Sequence, residues 1–240
     1  ATASNLAPGT YTVTINDDNN CSSSAGPVSI TEPAVLTASM GVPTMVSCNG
    51  GSDGSVTVTA SGGTVAGDYT YLWSNGQTTA TATGLVAGSY TVTITDDNSC
   101  QASAGPVTIT EPTLVVATMG LPTMVTCNGD ADGSVTVTGS GGTVAGDYTY
   151  LWSNGQTTAT ATGLAAGSYT VTITDDNGCQ ASAGPVTITE PTQVLATMGS
   201  PSMVSCNGGS DGSVTVTGSG GTVAGDYTYL WSNGQTTATA

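Results

Sequence analysis

Along much of the chain, apolar and polar residues alternate one by one. Val56, Val58 and Ala60 interleave with Thr57 and Thr59; Tyr90, Val92 and Ile94 interleave with Thr91, Thr93 and Thr95; Val107 and Ile109 interleave with Thr108 and Thr110. A period of two gives an extended segment one apolar face and one polar face, which is the pattern of a half-buried antiparallel strand. Turn chemistry punctuates these runs. Ser74-Asn75-Gly76-Gln77 reads as a hairpin, because Asn-Gly accommodates the two positive φ angles of a type I′ turn. Ser61-Gly62-Gly63 and Asp96-Asp97-Asn98 mark further reversals. The pattern predicts about seven strands across 34–47, 54–61, 69–74, 77–83, 89–95 and 103–110, the first of them split near Pro43.

The whole pattern then recurs. Cys48, Cys127 and Cys206 are 79 residues apart (127 − 48), as are Cys21, Cys100 and Cys179, and Trp73, Trp152 and Trp231. That period is too long for a solenoid turn and suits a small domain. With boundaries set between successive Glu-Pro pairs, residues 34–112 and 113–191 are complete repeats. Residues 1–33 are the C-terminal part of a repeat, and 192–240 the N-terminal part of another. Ala1-Thr2-Ala3 shares the phase of Ala80-Thr81-Ala82 and Ala238-Thr239-Ala240, so the sequence reads as a window from a longer array. The lack of a signal peptide therefore carries no weight against secretion.

Short strands with frequent turns indicate a β-sandwich, and two details sharpen this to an immunoglobulin-like one. Leu85-x-x-Gly88-x-Tyr90 has the form of a tyrosine corner, and Tyr11 and Tyr169 hold the same place in their repeats. Trp73, Trp152 and Trp231 lie where the third strand of such a sandwich carries its buried Trp. Tyr69, Tyr71 and Trp73 share one face, which is either core or an exposed aromatic stripe. The scarcity of other aromatics favours core. The expected fold is all-β: tandem immunoglobulin-like antiparallel β-sandwiches in an extended array. A domain this small buries only about 60–65% of its unfolded surface, so disulfides, metal or neighbouring repeats should assist it.

Composition narrows the function. The chain has 16 acidic residues and no Lys, Arg or His, for a net charge of −16. Side-chain salt bridges to Lys, Arg or His are impossible. Nucleic-acid binding is disfavoured, because phosphates are neutralised by Lys and Arg. An electrostatic hold on anionic lipid fails for the same reason, and no run approaches the ~18 apolar residues of a membrane insertion. Trypsin has nothing to cut, which suits an extracellular setting. There is no His base, Lys, Arg clamp or zinc ligand set, so no enzyme is expected. A carboxylate pair of the glycosidase kind is formally available, but the acids sit in turns. Rows of Thr such as Thr91, Thr93 and Thr95 read as ordinary pleated-surface residues rather than an ice-binding face.

Two cysteines per repeat in a secreted-looking chain suggest disulfides. Cys48 lies between the first two predicted strands and Cys100 between the last two. Pairing within a repeat would join Cys48 to Cys100 and Cys127 to Cys179. In an immunoglobulin topology those turns lie at opposite ends of the sandwich, about 25 Å apart at ~3.3 Å per residue, whereas a disulfide needs Cα atoms within about 7 Å. The last strand ends where the next repeat begins, which favours Cys48–Cys179, a staple across the junction. The pairing within a repeat stands if the first strand is routed differently. Partners of the other cysteines would lie outside the window.

The acids Asp53, Glu111, Asp175 and Asp176 are expected at the same junction, where crowded carboxylates would repel unless Ca²⁺ relieved them. Asn128, Asp130 and Asp132 come close to a D-x-D-x-D-G calcium loop, though the equivalent loops at 49–54 and 207–212 lack the middle Asp. No cofactor is required; Ca²⁺ is the candidate ion, with solvated turn acids as the competing reading.

The combined motif is specific. Cys-Asn-Gly-x-x-x-Gly-Ser, Ser-Gly-Gly, Tyr-Thr-Tyr-x-Trp-Ser-Asn-Gly, and Gly-Leu-x-Ala-Gly-x-Tyr-Thr-Val-Thr-x-Thr-Asp-x-x-x-Cys, closing in Glu-Pro, resembles the SprB-type repeat of very large bacterial cell-surface adhesins. The resemblance is clearest from Cys48 to Pro112 and returns in the following units. It implies export by the gliding-associated (type IX) system, extracellular filaments on the bacterial surface, and roles in adhesion and gliding motility. It brings no catalytic residues. The expectation is therefore a structural stalk of a secreted adhesin, whose partners are neighbouring repeats of the same chain, other filaments or surface glycans. The alternative is a multivalent carbohydrate- or surface-binding module that uses Tyr69, Tyr71 and Trp73.

Overall fold

In a computed structural model, residues 1–240 are all described, and they are all-β with no helix. The chain divides into two compact units, 1–111 and 112–240.

The first unit begins with a hairpin of β1 (Gly9–Asn16) and β2 (Ser22–Ile30). Six strands then form one complete repeat: β3 (Ala34–Met40), β4 (Gly54–Gly63), β5 (Thr70–Trp73), β6 (Thr81–Leu85), β7 (Gly88–Thr95) and β8 (Gln101–Ile109). They make two antiparallel sheets of three strands, ordered β3-β4-β6 and β5-β7-β8. The alternation of the sequence is what joins them. Val56, Val58, Ala82 and Leu85 point inward from the first sheet, and Trp73, Val92, Ile94 and Ile109 from the second, into one buried cluster. The Thr residues between them face outward.

The second unit repeats this with β9 (Val116–Met119), β10 (Gly133–Ser140), β11 (Thr149–Trp152), β12 (Thr160–Leu164), β13 (Gly167–Thr174) and β14 (Gln180–Ile188). Its sheets are ordered β12-β10-β9 and β11-β13-β14 around their own core of Val135, Val137, Trp152, Val171 and Ile173. β15 (Leu195–Met198) and β16 (Val216–Ser219) pair as the start of a further repeat.

Three details differ from the sequence reading. The complete repeat has six strands, not about seven. The first ends at Met40. Beyond Pro43, Thr44 makes one bridge to Ser55 and the Val46 amide donates to the Thr110 carbonyl, so this segment leaves the first sheet and reaches the end of the second. Residues 77–80 are not strand. They wrap the indole of Trp73, whose Nε1 donates to the Thr79 carbonyl at 2.8 Å. Finally, the turn at Asn75-Gly76 is not type I′. Only Gly76 has positive φ (85°), its amide donates to the Trp73 carbonyl, and the Trp73 amide donates to the Gln77 carbonyl. That is a three-residue loop closed by a left-handed glycine. Asn75 Oδ1 accepts from the Gln77 amide, so the asparagine acts through its side chain rather than its backbone angle.

Candidate functional site: the cysteine loops and their clamps

Each cysteine sits in a loop whose shape is fixed by carboxylates. In the loop after Val46, Asp53 Oδ1 accepts the Ser47 amide at 3.0 Å and Oδ2 accepts the Ser47 hydroxyl. The hydroxyl bond, followed by the amide bond, holds the Asp53 carboxyl below its ordinary pKa. From the other side Glu111 accepts Asn49 Nδ2 at 3.1 Å and the Gly50 amide at 2.7 Å. Cys48 is thus bracketed by residues anchored to two acids. The second repeat uses Asp132 on Thr126 and Glu190 on Gly129 around Cys127. Asp211 on Ser205 repeats the first clamp near Cys206.

The other loop is built around Asp96, which is buried. Its Oδ1 accepts the amides of Asn98 (3.0 Å) and Cys100 (2.8 Å), and Oδ2 accepts the Thr64 amide (2.8 Å). Thr64 is the largest cause of a lowered pKa, partly offset by desolvation. Asp97 Oδ2 reaches the Ala66 amide. Gly63, with φ of 68°, lies directly beneath: a Cβ there would sit 2.6 Å from Asp96 Oδ2. Asp175 and Asp176 repeat the arrangement on Thr143, Asn177, Cys179 and Ala145, and Asp175 is lowered for the same leading reason, the Thr143 amide.

The two cysteines of a repeat are therefore at opposite ends of it. Val46 is tied to Thr110, just beyond β8, whereas Cys100 precedes β8. The length of β8, nine residues, separates them by about 30 Å at ~3.3 Å per residue. Cys100 and Cys127 are free thiols, so the pairings Cys48–Cys100 and Cys127–Cys179 are not formed. Cys21 and Cys206 are free as well, and all four are exposed. Cys48 and Cys179 are in the disulfide state.

The other candidate residues divide by burial. Trp73 and Trp152 are buried, and Trp231 is half-buried. Tyr90, Tyr169 and Tyr11 donate their hydroxyls to the carbonyls of Val86, Ala165 and Ala7, each four residues back. Tyr69 donates to the Gly62 carbonyl and packs, with Tyr71, against the core. The aromatic face of the third strand is therefore turned inward.

No three His, Cys, Asp or Glu side chains gather into a metal-binding group. Asp132 is engaged with Thr126, and Asn128 Nδ2 donates to the Pro191 carbonyl. Of the acids assigned to the junction, Asp53 and Glu111 flank one loop, and Asp175 and Asp176 order another; each is satisfied by local donors within its own unit. Sequence reasoning missed this role, and it missed Gln77. The Gln77 amide bonds both the carbonyl and the N–H of Thr83 at 2.8 and 3.0 Å, pinning the middle of β6. The Asp-x-Asn spacing at 96–98 was the available signal for Asp96.

The SprB repeat family model matches residues 41–78, 122–157 and 200–236, each covering a cysteine loop and the strands up to the Trp hairpin. The chain carries SprB repeats. No curated protein matches it. Among solved structures it is similar to the "tetra-tandem repeat in extending region of large adhesion protein", at 21% identity over 99% of this chain and 71% of that one. The TM-score is 0.28, too low for the likeness to bear on the fold. In these SprB repeats the matched segments hold the Asp53-type clamp and the buried Trp. The Asp96-type turn and the tyrosine corner fall in the stretches between them.

Proposed function

We propose that these SprB repeats form a structural stalk of a secreted bacterial cell-surface adhesin, and that Cys48 and Cys179 staple one repeat to the next. The observation that carries the reading is the division among the six cysteines. The two in the disulfide state belong to different repeats, and the in-repeat alternatives are free thiols at far ends of their sandwiches. The offset of 131 residues (179 − 48) leaves none of the other four an equivalent partner within the chain. Immunoglobulin-like sandwiches suit such a stalk, and the division into β3-β4-β6 and β5-β7-β8 supports that assignment. A role in gliding motility, an extracellular location and the absence of enzymatic activity follow from the family resemblance and from a chain without Lys, Arg or His.

The stalk needs no cofactor in this reading, with Ca²⁺ its candidate ion; local backbone and hydroxyl donors to Asp53, Asp96, Asp132, Asp175 and Asp211 favour the cofactor-free form. The glycan-binding alternative is less favoured, because Trp73 is buried and the half-buried Tyr69 and Tyr71 pack against the core. Peptide mapping of the non-reduced chain tests the proposal, using a protease that cuts at Asp and Glu or after Tyr and Trp. A linked pair of peptides containing Cys48 and Cys179 is expected. A Cys48–Cys100 peptide, or free Cys48, would overturn the staple.

A further inference from the structure

In the sheet ordered β3-β4-β6, β6 lies at an edge. Its backbone groups alternate in direction. The Val58 amide donates to the Ala80 carbonyl and Val56 pairs with Ala82, so the amide and carbonyl of Ala82 face β4. Those of Thr81 and Thr83 face away from the sheet. An edge of this kind is a template for another strand. The run Thr81-Ala82-Thr83-Gly84-Leu85 holds neither proline nor charge to discourage one. The edges of the other sheet are protected differently. β8 carries Pro106, which has no N–H to offer. β5 is four residues long, and the amide and carbonyl of its Trp73 are taken by the Gln77 carbonyl and the Gly76 amide.

On β6, two side chains stand in for a neighbouring strand. Gln77 Nε2 donates to the Thr83 carbonyl at 2.8 Å, and its Oε1 accepts the Thr83 amide at 3.0 Å. Thr79 Oγ1 donates to the Thr81 carbonyl at 2.7 Å. A carboxamide offers a donor and an acceptor side by side, the same pair that one residue of an antiparallel strand presents. The second repeat copies the arrangement at the edge formed by β12. Gln156 bonds the carbonyl and amide of Thr162 at 2.8 and 3.0 Å, and Thr158 bonds the Thr160 carbonyl at 2.7 Å. The loop before each edge strand thus occupies the outward groups of that strand.

We infer that Gln77 and Gln156 are edge guards, which close the surface on which β6 or β12 would otherwise pair with the same strand of a second copy. The two strands have one sequence, Thr-Ala-Thr-Gly-Leu, so a chain of such repeats presents the same edge many times over. Identical edges pair antiparallel about a two-fold axis. With Thr83 on that axis, its amide and carbonyl bond those of its counterpart in place of the Gln77 carboxamide. The guard therefore keeps near-identical repeats as separate sandwiches where their sequences would let them merge into a common sheet.

Gln77→Met keeps the length of the side chain and removes both bonds. In dilute solution, hydrogen exchange at the Thr83 amide should quicken about tenfold, while the Ala82 amide, bonded to β4, stays protected and reports that the repeat is folded. Light scattering after size-exclusion chromatography then reads association, with the wild-type chain run alongside. Free thiols are alkylated beforehand without reduction, so that intermolecular disulfides do not contribute. Gln77→Met should double the wild-type mass as concentration rises and stop there, because one two-fold contact closes on itself. Gln77→Met with Gln156→Met opens two edges per chain and should grow further. Adding Thr83→Glu and Thr162→Glu sets like charges opposite each other and should restore the wild-type mass. Ile94→Val with Ile173→Val weakens both cores but leaves the guards in place, and should keep the wild-type mass. Unchanged exchange at Thr83, a double Met variant of wild-type mass, association that survives the two Glu substitutions, or a core-weakened chain that associates like the guard variants would each overturn the inference.

Discussion

Asp96 and its repeat-mate Asp175 show how acids serve a chain that has no Lys, Arg or His. Each accepts three backbone amides, which lowers its pKa, and the leading cause is the amide of Thr64 or Thr143. The folded state then binds fewer protons than the unfolded state, so stability rises with pH through this window. The contribution is present above the unfolded-state value near 3.9 and is lost as pH falls through the depressed folded-state value. Asp96→Asn removes the charge and offers one of the three amides a donor in place of an acceptor. Its guanidinium unfolding midpoint should lie below that of the wild type at pH 7, and the gap should narrow by pH 3. A gap unchanged with pH would mean that the Asp96 charge does not stabilise the fold.

Each sandwich is stitched at both ends by loops rather than by strands. At one end the turn after β4 meets the turn before β8: Thr64 and Ala66 donate to Asp96 and Asp97, and the Asp97 amide donates to the Thr64 carbonyl. At the other end Glu111 grips Asn49 and Gly50. Gly63→Ala probes the first stitch, because a side chain there needs a left-handed backbone and collides with Asp96. It should destabilise by more than ~1 kcal/mol in chemical denaturation. A loss within a few tenths of a kcal/mol would show that the two turns do not depend on each other. Period-two alternation made the strands legible from sequence, because it reports directly which face is buried. The stitches were not, because they join residues 31–32 positions apart at one end and 61–62 at the other, and leave no local pattern. The hairpin at Asn75 misled for a related reason. Asn-Gly fits a type I′ turn, but the Asn side chain's bond to Gln77 and the capture of Thr79 by the Trp73 indole favoured a longer loop.

At the scale of the whole molecule, the 79-residue period was the plainest signal and brought the array reading with it. The end-to-end placement of the cysteines also followed from strand count. The clamp roles of Asp53, Glu111 and Asp175 did not, since a sequence of turn acids reads equally well as a metal site or as a solvated surface. In a stalk stapled from Cys48 to Cys179, tension passes through the covalent bond, and the residues between them are shielded from the load. Pulling single molecules of the 240-residue chain from its two ends tests this most directly. The oxidised chain should withhold the length of 131 residues and reductant should release it, about 450 Å at ~3.4 Å per residue. Equal contour lengths with and without reductant would contradict it.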